Sequence, residues 1–137
     1  MRLTRKFVID TVIQKLAQIR TANGYSCEIG QQVDYGEGIQ SNPTLDCVAV
    51  IDGPEAFGPA TRPGVRERTL TLYLSAIFYE SNPLERANVA AEDVLVWLDK
   101  NASMGLQGMR ITVVSMGTIL EEAGQLAELG VELRLTY

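Results

Sequence analysis

The sequence predicts an α+β two-layer sandwich: a mostly antiparallel or mixed sheet with two helices on one face, in the order α-β-β-β-α-β-β. Three observations carry that expectation. Residues 4–20 and 83–100 place apolar residues at the helical period with a polar face opposite. Residues 69–79 and 129–137 alternate with a period of two, the pattern of half-buried strands. The remaining apolar runs are short and bounded by Gly, Pro and Asn, so they read as hairpin-linked strands that the helices cover. At 137 residues the chain is one domain, 1–137, with no repeat, linker or low-complexity tract.

In the first helix, Val8, Ile9, Val12, Ile13, Leu16, Ala17 and Ile19 fall on one arc. Asp10, Thr11, Gln14, Lys15 and Gln18 fall opposite, with Phe7 on the polar side. Gly24 after Asn23 supplies a left-handed stop. Residues 25–35 then alternate loosely, and Gly30 is expected to mark a bulge. Residues 36–43 read as a turn or loop. Residues 45–51 are apolar on both faces, as in a central strand.

The stretch 52–68, DGPEAFGPATRPGVRER, reads as the longest irregular segment, because three prolines and three glycines oppose helix and central strand. It is either a floppy hairpin tip or an arm that orders on a partner, flexible over 53–67 in both cases.

In the strand 69–79, Leu70, Leu72, Leu74, Ala76 and Phe78 suit a core. Thr71, Tyr73, Ser75, Ile77 and Tyr79 make an amphipathic, aromatic face closer in character to an interface. Asn82-Pro83-Leu84-Glu85 is a helix start, with Asn as N-cap, Pro at N1 and Glu at N3. The apolar arc of that helix holds Leu84, Ala87, Ala90, Ala91, Val94, Leu95, Trp97 and Leu98. Val89 and Val96 lie on the opposite arc among Glu85, Asn88, Glu92, Asp93 and Asp99. Residues 101–109 read as a loop and 110–120 as a strand kinked at Gly117. Residues 121–128 read as a turn or irregular edge. The last strand runs to Tyr137, which pins the terminus into the sheet.

Composition excludes several function classes. The net charge of −5 opposes stable nucleic-acid binding, which needs a basic patch to release counterions. The chain has no histidine, so a His-ligated metal and a His general base are excluded. Cys27 and Cys47 show no C-x-x-C spacing and read as buried reduced thiols. The first fourteen residues are basic and then apolar. Asp10, Thr11 and Gln14 interrupt the run, so neither a signal peptide nor a membrane span is expected. Glu92–Asp93 and Glu121–Glu122 are sequence neighbours and make no catalytic pair on a helix. No nucleophile elbow, Walker loop or metal-ligand spacing is present. The chain is therefore expected to be no enzyme and to carry no cofactor or metal.

Residues 16–25, LAQIRTANGY, followed by Glu28-Ile29-Gly30, resemble the start of the small tail terminator and tail-completion proteins of long-tailed bacteriophages. The segment 48–53, the strand–helix unit 69–100 and the closing strand 131–137 also resemble that family, in order and in length. The resemblance implies an α+β sandwich that assembles as a hexameric ring at the head-proximal end of the tail tube. It implies a structural role without catalysis: the ring stops tube polymerisation and offers a surface for head–tail joining. The implied partners are further copies of the chain, the tail tube protein and the head–tail connector protein. DNA would pass without specific binding, and no membrane is involved. The implied location is the virion, in the tail or neck, after assembly in the host cytoplasm. The alternatives are another neck or tail-completion component, or a small α+β enzyme or ligand-binding module.

Size is compatible with a ring. A chain of this length makes a globule about 37 Å across, and six in contact enclose a hole about as wide. The candidate interface residues are Phe57, Arg62, Arg66 and Arg68 in the arm. Tyr73, Tyr79, Glu132 and Arg134 are candidates on the wet face of the sheet, and Val89 and Val96 on the second helix.

Overall fold

The structure is a computed structural model that describes residues 3–36, 46–79, 82–120 and 126–137. Helix α1 (Arg5–Leu16) is followed by strand β1 (Val33–Tyr35), the long strands β2 (Cys47–Arg62) and β3 (Val65–Tyr79), helix α2 (Pro83–Lys100), and strands β4 (Arg110–Leu120) and β5 (Leu126–Thr136). The predicted fold class and element order are those observed. The sheet order is β1-β2-β3-β5-β4. Among the described strands only β1 runs parallel to its neighbour; the other pairs are antiparallel, so the sheet is mixed.

Both helices cover one face. Val8, Ile9, Val12 and Leu16 of α1 and Ala87, Ala90, Val94 and Trp97 of α2 are buried. They share one cluster with Leu70, Leu72, Leu74, Ala76 and Phe78 of β3 and Leu129, Val131, Leu133 and Leu135 of β5. The alternation in β3 and β5 therefore sorts core from surface as the period of two requires. The indole Nε1 of Trp97 donates to the Lys15 carbonyl at 2.9 Å, which ties α2 to the end of α1. A buried Trp needs such a partner for its N–H.

The α1 boundary is earlier than the apolar pattern suggests. The helix ends at Leu16, and Ala17 is exposed. Ile19 is buried beyond the helix, so its place in the periodicity is fortuitous. Gly24, at φ +91°, closes a separate 3₁₀ turn, Thr21–Asn23, rather than α1. The expected strand 25–35 is reduced to Val33–Tyr35, preceded by a 3₁₀ turn at Ile29–Gln31. Gly30 marks no bulge. Its N–H donates to the Ile19 carbonyl at 2.9 Å, and a Cβ there would lie 2.6 Å from the Leu16 carbonyl oxygen. It is glycine because three carbonyls from the end of α1 crowd it.

The largest correction concerns 52–68. The segment is a bulged hairpin, in which β2 and β3 pair from Cys47↔Ile77 out to Arg62↔Val65. Pro54 and Pro59 fall within the register shifts Asp52/Glu55 and Phe57/Ala60. Among the described residues β1 pairs with β2 at Val48–Val50 alone, so the prolines fall where the distal edge of β2 makes no ladder hydrogen bonds to a described strand. Pro63-Gly64 forms the turn, with Gly64 at φ +78°, the chemistry of a type II turn.

Smaller corrections follow. Asn82 makes no side-chain cap, although Pro83 does open α2. The irregularity in β4 lies between Val113 and Ser115, not at Gly117, which pairs with Gly130. Strand β5 begins at Leu126, inside the span expected to be irregular. The turn expected over 36–43 lies, from residue 37 on, outside the described residues, as does Glu121–Glu122.

Candidate functional site

The face of the sheet away from the helices carries the strongest surface features. The register aligns outward-pointing residues into rows across the strands. Gly117, Gly130, Ser75 and Ala49 form one row through β4, β5, β3 and β2. The row on one side holds Ile119, Glu128 and Ile77; the row on the other holds Ser115, Glu132, Tyr73 and Ile51. Small residues between larger ones make a shallow trench of about 380 Å³. Each rim carries an exposed apolar side chain: Ile119 is 68% exposed and Tyr73 38%. Glu128 and Glu132 stand on either side of Gly130, and Glu128 accepts a 2.9 Å hydrogen bond from the Ser75 hydroxyl.

The second feature is the arm. Strand β5 pairs with β3 as far as Thr69↔Thr136, and Tyr137 exchanges backbone hydrogen bonds with Arg68. Beyond that point β2 and β3 continue as a two-stranded ribbon. Its root is braced by Glu55, whose side chain is only 4% exposed. The Glu55 carboxylate pairs with Arg68 at 2.5 Å and Arg5 at 3.8 Å, and accepts from the Tyr137 hydroxyl at 3.3 Å. The Arg68 guanidinium also lies over the Phe57 and Tyr137 rings, 5.6 and 4.9 Å from their centroids. Burial, with Glu55 beside it, raises the Tyr137 pKa, so the hydroxyl stays protonated and donates.

The structure gathers the expected site residues into three places. Tyr73, Tyr79, Glu132 and Arg134 share the outer sheet face, with Tyr73 directly across from Glu132 and Arg134 across from Thr71. Phe57, Arg62 and Arg66 lie exposed in the arm, and Phe57 is 60% exposed. Arg68 differs from its two neighbours: it is half-buried and committed to Glu55 at the root. Val89 and Val96 are exposed on α2, in the other layer, and do not join the sheet surface.

Asp93 departs from its expected place on the polar arc. It is 6% exposed, and its carboxylate accepts from the backbone N–H of Ser26 (2.9 Å) and Cys27 (2.8 Å). Sequence reasoning also missed Glu55, Glu128 and Ile119. The alternation of β5 does place Glu128 and Glu132 on one face, a signal that was available.

Chemistry at the thiols is suppressed. Burial, reinforced by Asp93, pushes the Cys27 thiol up to about 12, and burial with Asp34 nearby pushes Cys47 up to about 11. Both cysteines are free. Among the described residues, no group of three or more Cys, Asp or Glu is placed to hold a metal ion. Among those residues, no helix is long and apolar enough to cross a membrane.

No family model matches the chain. No curated protein matches it either. Among solved structures, a chain from the virion of a native gene transfer agent (GTA) particle is similar to it at a TM-score of 0.45 and 14% identity, covering 77% of this chain and 76% of that chain.

Proposed function

We propose that this chain is a non-enzymatic structural protein of a tailed, phage-like virion and acts as a tail terminator. Copies of it form a ring, of six subunits by the family resemblance, on the head-proximal end of the tail tube. The ring stops tube growth and provides the surface for head–tail joining. The observation that supports this most is the presence of two different exposed surfaces on one sheet: the outer face over β3, β5 and β4, with exposed Tyr73 and Ile119 beside Glu128 and Glu132, and a braced arm that leaves the sheet. A closed ring uses two unlike patches per subunit, each meeting the other on a neighbour. The negative charge of the chain suits a wall past which DNA moves without sticking. A neck or tail-completion component of the same fold is the nearest alternative, and it would use the same two surfaces.

The function is tested by adding the purified protein to polymerising tail-tube subunits from the same genome and measuring tube lengths by electron microscopy. A terminator shortens the tubes in proportion to the amount added and leaves density at one end. Tube lengths unaffected at any ratio would reject the role.

A further inference from the structure

We propose that the tip of the β2–β3 hairpin of one copy seats in the outer-face trench of a second copy, through Arg62 and Arg66 meeting Glu128 and Glu132. This rests on the ring reading and names the contact that would build it. Charge complementarity selects the occupant. The trench offers two carboxylates that flank a floor of Gly117, Gly130 and Ser75. Floor residues of that size let a backbone ribbon approach closely. The tip offers two guanidiniums, and neither Arg62 nor Arg66 has an ion pair among the described residues, whereas Arg68 is held by Glu55. Apolar surface matches as well. Phe57 and Val65 of the arm are 60% and 39% exposed, and the rims present Tyr73 and Ile119.

A subunit cannot satisfy this match alone. Arg66 and Ser75 lie on the same continuous strand, β3, so about 30 Å of extended chain separates a tip from its own trench. Each trench must therefore take the tip of another copy. Tip and trench are different patches, so the contact is head-to-tail and closes into a ring when the rotation permits.

The test is charge exchange, read by native mass measurement at low salt. One variant is Arg62→Glu/Arg66→Glu, and the other is Glu128→Lys/Glu132→Lys. Each alone sets like charges against each other at the contact and should weaken self-association by about a hundredfold or more. Mixed in equal amounts, each tip finds a trench of opposite sign, and wild-type assembly mass should return. Misfolded variants cannot give that rescue. Because Glu128 accepts from Ser75, a Glu132→Lys single variant repeats the test at a site without that bond. If the wild type assembles while either variant assembles equally well alone, or the mixture stays monomeric, the tip-in-trench contact is wrong and the ring reading survives. A wild type that is monomeric at every concentration, with and without tail-tube subunits, overturns both.

Discussion

Asp93 fastens a segment nearly seventy residues away in sequence. From the buried side of α2 its carboxylate receives the N–H groups of Ser26 and Cys27 and so holds the link between α1 and β1. Buried N–H groups left without an acceptor cost about 1–3 kcal/mol each. Of the two, the Cys27 N–H is buried and the Ser26 N–H only partly so, and Asp93→Ala should therefore lower stability by roughly 1–3 kcal/mol, measured by urea unfolding. An effect within about 0.5 kcal/mol, as at an ordinary surface site, would refute the placement. The two thiols make a pH prediction. In the unfolded chain they ionise near 9.0, while in the fold they stay neutral to about 12 (Cys27) and about 11 (Cys47). Their folded values are raised, so their contribution is complete below pH 9 and is lost as pH rises through 11 to 12. Melting temperature should fall over that range, and less steeply in a Cys27→Ala/Cys47→Ala variant. At pH 8, alkylating reagents should modify neither thiol until the protein unfolds. The burial of both cysteines was readable from sequence. That of Asp93 was not, because a carboxylate on a polar arc looks solvated until the segment it holds is seen.

Elements were legible where one period dominates. Strands β3 and β5 follow their patterns closely, since burial on one face constrains every second residue of a strand. Helix α2 follows its pattern at Ala87, Ala90, Val94 and Trp97 but exposes Leu84 and Leu95, which the apolar arc placed inward. Strand β2 was not legible beyond Ile51. Prolines oppose a strand paired on both edges, and beyond Ile51 β2 pairs with a described strand on its β3 edge alone. For that reason a braced ribbon looks like an irregular loop in the sequence. The brace at Glu55 lies inside the fold, so the distal arm should be dispensable for folding. Replacing residues 58–66 by a short turn should change unfolding free energy by less than about 1 kcal/mol, because loop length costs little. The same deletion should abolish self-association. Loss of the folded state on arm removal, seen by circular dichroism, would show that the arm contributes to the core.

The whole molecule is a two-layer domain whose helices seal one face of the sheet; on the other face Cys47 and Ala49 of β2 are buried in a small second cluster with Ile51 and Ile77, while Tyr73, Tyr79 and Ile119 are exposed. Val89 and Val96 are exposed on the far side of the helix layer. Exposed apolar rims, an acidic trench and a basic arm all lie on the sheet or its extension, so that layer is where assembly would occur. Which surfaces share a face was legible from strand alternation. Their pairing into a trench was not, because it depends on the order β3-β5-β4 and on its register. Subunit association is the central claim, and native mass measurement of the purified protein across a concentration series tests it most directly. The purified protein should form a discrete closed species at six times the 15.0 kDa chain mass, dissociating to monomer as salt is raised. A monomer at all concentrations, with and without tail-tube subunits, would contradict it.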